Sequence, residues 1–392
     1  MNDPLLRWRA EFPILATSTY LISNSLGAMP RGVRDDLAQF AETWATRGVR
    51  AWAEGWWELP VEAGNAVATL LKAPQGSISM HQNVTLAEAA VLSCFEFTAP
   101  RNRIVTTKLN FPSLTYLQRG CGAELVALES EDGIGIPTEA WLNAIDERTK
   151  LVALDHVLFR SAYIQDAETI IRHAHAMGAL VILDTFQSAG VVPVDLTAWD
   201  ADFAVGGALK WLCGGPGSAY LYVRPDLARS LEPRLTGWQS HTRPFGFEWD
   251  LERREDAYRF LTGTPAVPSL YASEEGLRIL NEIGVDAIRA KSSHQTRRLL
   301  DLADAHGWPT HTPRNDAQRG GTVAFDVPHA LEASRELLRR DVVVDYRPGA
   351  GIRMSPHFYT TDDELDFAAD ELNQILASGA WKAHEGHQAT VT

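Results

Sequence analysis

Five short, apolar, β-rich runs separated by helix-length stretches dominate the middle of the chain, and they narrow the possible folds more than any other feature. RIVTTK (103–108), ELVALE (124–129), KLVALDHV (150–157), ALVILD (179–184) and DFAVG (202–206) read as strands. Amphipathic stretches at 85–97, 137–145 and 166–178 read as helices, with Pro137 and Asp166 at plausible starts. Strands that are apolar along their whole length are buried on both faces. Interleaved with helices, they predict a mostly parallel sheet covered on both sides. SAYLYV (218–223), after a Gly/Pro turn, reads as a further strand, antiparallel at an edge or switch.

Beyond Pro268 the pattern changes. Two long helical stretches (269–283 and 285–306) precede GGTVAFDV, a helix near 331–340, VVVDY and GIRMS. The closing helix, 361–377, opens with Thr-Asp-Asp-Glu, which suits an N-terminus by capping and by the helix dipole. The expected fold class is therefore α/β, with a large domain over 31–268 and a small α+β domain over 269–392. The last residues, AHEGHQATVT, are expected to fray.

Charge and composition exclude several classes of function. Thirty-six Lys and Arg stand against 50 Asp and Glu, a net charge of −14 that repels a nucleic-acid backbone. The nearest basic cluster, Arg253 and Arg254 in LERRED, has acidic neighbours. The longest aliphatic run (179–183) is too short to span a bilayer. The start, MNDPLLRWRAEFP, lacks a cationic stretch followed by an apolar core, which predicts no cleaved signal peptide. Cys94, Cys121 and Cys213 are an odd count at wide spacings, which predicts a reducing, cytoplasmic setting without disulfide or zinc framework. Trp44, Trp52, Trp56 and Trp57 crowd one stretch and suit a core or a subunit interface better than a pocket. GxGxxG after the first strand, GxxxxGK[ST], HExxH and GxSxG are all absent, and His173 and His175 are spaced wrongly for a metal pair on one helix face.

The chemistry lies between residues 179 and 223. Asp184 ends a strongly apolar strand, where its carboxylate emerges at the sheet's C-terminal edge, the ligand-binding edge of open α/β sheets. Lys210 follows another buried strand and has apolar neighbours, Leu209, Trp211 and Leu212. Desolvation lowers a lysine's pKa and frees its amine to act as nucleophile or base. An aspartate and a lysine on one strand edge are what a pyridoxal phosphate site requires: an amine for the cofactor's aldehyde and a carboxylate for its ring nitrogen. A structural Asp–Lys ion pair is the other reading the spacing allows.

DTFQSAGVVPVDLTAWDADF (184–203), followed by KW and GGPG, resembles the class V, fold-type-I aminotransferase superfamily of pyridoxal phosphate enzymes. YLISNSLGAMP (20–30), KLNFPS (108–113), GWQSH (237–241), FLTGTP (260–265) and GIRMSPHFYTTDDE (351–364) extend the resemblance, specifically towards its kynureninase-like members. Six motifs in order cover almost the whole chain. The resemblance implies a fold-type-I architecture in which residues 1–30 join the small domain. It also implies a homodimer with shared active sites.

The resemblance assigns roles residue by residue. Lys210 is the expected Schiff-base lysine and proton shuttle. Asp184 pairs with the pyridinium, and Gln187 donates to the ring's phenolic oxygen. Asn83, Val84 and Thr85 begin a helix whose N–H groups hold the phosphate. Phe111 stacks on the ring, while Trp238 and Thr264 match phosphate contacts, Thr264 reaching in from the partner. Arg353 takes the substrate α-carboxylate, and His156 lies near the cofactor. Base rates offer plainer roles: core aromatics for Phe111 and Trp238, a cap for Thr85, a surface ion pair for Arg353, and a structural histidine for His156.

The departures bear on the reaction. Leu209 stands where kynureninases have a tyrosine, Leu114 where they have an acid, Trp52 where a histidine recognises kynurenine's aromatic end, and Gln187 where they use a histidine. No cysteine follows Cys213, so the persulfide chemistry of a cysteine desulfurase lacks its thiolate. The expected activity is cleavage at the β-carbon of an amino acid, of kynureninase type. The alternatives are a class V aminotransferase or C–S lyase, or a non-catalytic relative retaining the fold.

Overall fold

The computed structural model describes residues 3–386. Strand β1 (Thr19–Tyr20) precedes helices α1 (Val33–Arg47) and α2 (Leu59–Leu70). The alternation expected from the sequence follows: β2 (Ile78–His81), α3 (Val84–Leu92), β3 (Arg103–Thr107), α4 (Pro112–Gly120), β4 (Glu124–Leu128) and α5 (Thr138–Ala144). It continues through β5 (Thr149–Asp155), α6 (Ala167–Ala176), β6 (Leu180–Asp184), β7 (Phe203–Gly207), β8 (Ala219–Val223) and α7 (Pro225–Ser230). The remainder comprises α8 (Val267–Ile283), α9 (Val285–His306), β9 (Val323–Phe325), α10 (Ala330–Arg339), β10 (Val342–Val343), β11 (Asp345–Arg347), β12 (Gly351–Met354) and α11 (Asp362–Ser378).

Strands β2 to β8 form one seven-stranded sheet in the order β2-β8-β7-β6-β5-β3-β4. β7, β6, β5, β3 and β4 run parallel, because each pair is joined by a crossover that returns the chain to the same edge. β8 is antiparallel, as its sequence suggests, but it lies inside the sheet. The edge beside β8 belongs to β2, a strand that the apolar-run criterion passes over because Ser79 and His81 interrupt it. β5, β6 and β7 are buried almost throughout, with an apolar cluster against each face of the sheet.

A second, smaller sheet, β11-β12-β9, packs with α9, α10 and α11 around its own apolar cluster. β1 pairs in parallel with β10, tying the N-terminal segment to this part of the chain. α11 starts in the expected way: Thr361 accepts the Glu364 N–H at 3.2 Å, and Glu364 accepts the Thr361 N–H at 2.8 Å. The expected fraying of the tail is corrected in part. Residues Ala380–His384 form a 3₁₀ turn, and His384 reaches Glu336 at 2.9 Å. Residues 387–392 of that stretch lie outside the described residues. Among the described residues no helix is long and apolar enough to cross a membrane.

Candidate active site

The C-terminal ends of β5, β6 and β7 open onto a cavity of 470 Å³. Asn83, Val84, Thr85, Phe111, Asp184, Gln187, Lys210 and Arg353 all line it. Residues from well-separated stretches of sequence are thus brought to one place by the parallel sheet, whose loops converge on a single edge.

Lys210 sits in the turn after β7. Its Nζ lies 4.1 Å from the Phe186 ring centroid and 5.6 Å from that of Phe111, over aromatic faces rather than in an ion pair with Asp184. Burial among these groups lowers its pKa to about 8, with the Asp184 charge opposing the shift. Asp184 accepts the Phe186 N–H at 2.7 Å. Burial raises Asp184 to about 6, while that hydrogen bond and Lys210 hold it down. At neutral pH the site thus offers an ionised carboxylate and an amine that yields its proton far more readily than an ordinary lysine.

The start of α3 could hold an anion. Asn83 is extended (φ −160°, ψ 164°) and its side chain accepts the Leu86 N–H at 3.0 Å, so Asn83 and not Thr85 caps the helix. Val84 and Thr85 occupy the first turn, whose N–H groups have no intrahelical acceptor. Across the cavity Arg353 is buried on β12 and its Nε donates to Asp345 Oδ1 at 2.9 Å, which removes the surface ion-pair reading. A second guanidinium, Arg347, reaches the same carboxylate at 3.2 Å. Two cations share one anion, leaving a net positive charge on the cavity wall.

Four expected residues lie elsewhere. His156 points away from the cavity and packs edge-on against Trp199 with ring centroids 5.2 Å apart; burial lowers it to about 4, so it is neutral. Side chains alternate along the extended chain, so Asp155, Val157 and Phe159 face the cavity instead. Trp52 stacks edge-on with Trp56 at 5.5 Å, and with Thr264 it lines a separate depression. Trp238 lines another, against Phe247. Leu114 is buried in the sheet's apolar cluster, and Phe111 and Ser113 are the residues of the FPS turn that reach the cavity.

Sequence reasoning also missed Asn24, Asp155, Phe186 and Arg347 as cavity residues. Strand parity was the available signal for Asp155, because the run LDHV carries two polar residues and only one can face the site. Gly27, in the NSLG element, has a different task. Its N–H donates to Leu209 O at 2.8 Å, and a Cβ there would collide with the Lys210 carbonyl and approach Cys213 Cα to 3.0 Å. Gly27→Ala is expected to lower the melting temperature, at a cost of about 1–3 kcal/mol, and to reduce cofactor content by displacing the Lys210 turn. An unchanged melting temperature and full cofactor absorbance would contradict that.

The residues fit pyridoxal phosphate. The amine, carboxylate, anion seat and flat aromatic wall are present in one cavity, and Gln187 retains one amide N–H after donating to Asn24 O at 3.0 Å. Asn24 is 1% exposed and lies on the cavity wall, and neither its Oδ1 nor its Nδ2 is paired among the described residues, as befits a ligand-binding group.

A family model for aminotransferase class V matches residues 19–366. A kynureninase of Burkholderia pseudomallei is 34% identical over 98% of this chain and 95% of its own length. Among solved structures, the apo cysteine desulfurase of Thermococcus onnurineus NA1 superposes with a TM-score of 0.85 at 22% identity, covering 96% of this chain and 99% of its own. A variant of C-DES with glycine covalently linked to its PLP cofactor gives 0.83 at 20% identity, over 93% and 98% of the two chains. These likenesses confirm the fold, and the family match runs through every element that lines the cavity. The protein belongs to the class V aminotransferase family and is a pyridoxal-phosphate-dependent enzyme.

Proposed function

We propose that the enzyme cleaves an amino acid at its β-carbon by hydrolysis of the Cβ–Cγ bond, as a kynureninase does. The observation that carries this reading is the placing of Lys210, Asp184 and Arg353 around one cavity in a chain 34% identical to a kynureninase over nearly its whole length. When bound, pyridoxal phosphate supplies the electron sink that stabilises negative charge at the substrate's Cα. Lys210 supplies the amine that engages the cofactor, then removes and returns protons at the substrate. Asp184 holds the ring nitrogen protonated. Val84 and Thr85 at the start of α3 take the phosphate, with Asn83 fixing that turn. Phe111 covers the ring, Gln187 donates its remaining N–H to the phenolic oxygen, and Arg353 binds the α-carboxylate.

A homodimer in the cytoplasm completes the proposal, with residues 31–268 and 269–392 as its large and small domains and residues 1–30 joined to the small one. Trp44, Val49, Phe247 and Trp249 are strongly exposed apolar side chains beside the depressions lined by Trp52, Thr264 and Trp238. A second copy would cover that surface and bring those three residues to the partner's site. All three cysteines are free, in keeping with a reducing compartment.

Incubation with pyridoxal phosphate and L-kynurenine, with products identified by mass spectrometry, tests the reaction; anthranilate and alanine are expected. A second reading, a class V aminotransferase or C–S lyase, draws on Leu209, which lines the cavity where kynureninases carry a proton-transferring tyrosine. A transaminated product, or products only from sulfur-containing amino acids, would favour it.

The lowered pKa of Lys210 has a kinetic consequence. At pH 7.5 roughly a quarter of these amines are neutral, against about one in a thousand for an ordinary lysine. The rate of cofactor capture by apoprotein is expected to rise with pH and level off above about 8. Stopped-flow rates still climbing about tenfold per unit towards pH ~10 would show an unperturbed lysine.

A further inference from the structure

We propose that Asp155 is the proton-holding partner of Asp184, a positioning residue that stays neutral so that Asp184 alone meets the cofactor's ring nitrogen as an anion. The inference rests on the cofactor reading above for its functional consequence, and on the carboxyl pair itself for its physics.

Asp155 and Asp184 end adjacent parallel strands and are direct partners in the register. Neighbouring strands lie about 4.8 Å apart, and opposed residues project to the same face. Both side chains are buried, and both line the cavity. Two carboxylates placed this closely away from water cannot both ionise, so one holds a proton at neutral pH.

The surroundings decide which. Asp184 accepts the Phe186 N–H at 2.7 Å, whereas Asp155 accepts a longer bond, 3.3 Å, from the Phe111 N–H. The charged and titratable groups facing Asp155 are Asp184 on β6, Glu88 on α3 and Lys210 after β7. Burial, then the Asp184 charge, push Asp155 well above the usual carboxylate range, and Lys210 offsets this only weakly. Glu88 is raised to about 8 by its own burial and is neutral too. His156, the next residue, faces the other way. A neutral Asp155 leaves one negative charge at the floor of the cavity and anchors the Phe111 turn through its second oxygen.

Infrared difference spectra of the wild type minus D155N test this in both cofactor-free and cofactor-loaded protein. At about pH 7.5 the difference is expected to contain the C=O stretch of a protonated acid and no ionised carboxylate band. D155N, neutral and isosteric, is expected to keep cofactor affinity within about threefold and to lose the change in affinity that the wild type shows when Asp155 ionises at alkaline pH. Loss of an ionised carboxylate band, or about a tenfold loss of affinity at unchanged melting temperature, would overturn the assignment. If D155N does not fold, wild type labelled with ¹³C-aspartate gives the answer: a buried protonated aspartate at about pH 7.5 is expected, and its absence overturns the proposal. Failure to bind pyridoxal phosphate would sink the functional reading, and the cofactor-free spectra would still decide which carboxyl of the pair holds the proton.

Discussion

Lys210→Ala is expected to abolish turnover and the visible absorption band of the bound cofactor together. Turnover should fall by at least roughly 10³-fold, the scale of losing both the nucleophilic amine and the general base. No other cavity group can substitute. The nearby cations are the guanidiniums of Arg353 and Arg347, which stay protonated and are held by Asp345. The fold should survive, because Lys210 Nζ lies over Phe186 and Phe111 and is no one's ion-pair partner among the described residues. Burial disfavours its charge, so truncation removes a desolvated ammonium and should leave the melting temperature of the apoprotein unchanged or higher. Turnover persisting above about 10% of wild type, with a native melting temperature, would contradict the account.

Asp184→Ala is the second large effect. A carboxylate buried at a strand end and facing a protonated ring nitrogen makes a charge-assisted hydrogen bond, and leaving the partner charge unpaired costs about 3–5 kcal/mol. Cofactor affinity should fall by roughly 10²- to 10⁴-fold, read by titrating apoprotein with pyridoxal phosphate. The same interaction sets a pH dependence. Asp184 is raised to about 6, so affinity in the wild type should weaken as pH drops through that value and the carboxylate is neutralised. The variant should show no such acid limb. Affinity unchanged by the substitution would mean that another group meets the ring nitrogen.

Much of this was legible in the sequence because polar residues stood in apolar frames. Asp184 closes LVILD and Lys210 sits among Leu209, Trp211 and Leu212, so burial and strand direction together predict where both emerge. The parallel direction of β3 to β7 followed from the same runs, though not their order in the sheet. What escaped depended on parity and pairing. His156 drew attention over Asp155, although alternation at the end of β5 turns the histidine towards Trp199 and the aspartate towards the cavity. β2 escaped because Ser79 and His81 break its apolar run, yet its pairing to β8 buries it. Arg347 escaped because nothing local reveals that β11 and β12 pair and point both guanidiniums at Asp345. Trp52, Trp238 and Thr264 lie outside the cavity of one chain, and their assignment depends on a second copy.

On this reading Lys210 is the residue through which the protein holds its cofactor and does its chemistry. Borohydride reduction of the loaded protein, digestion and peptide mass spectrometry test it most directly. A single adduct is expected on the peptide containing Lys210, of the cofactor's mass less the water lost on condensation and plus the two hydrogens of reduction. An adduct on another lysine, or none in protein whose visible band shows the cofactor bound, would contradict it.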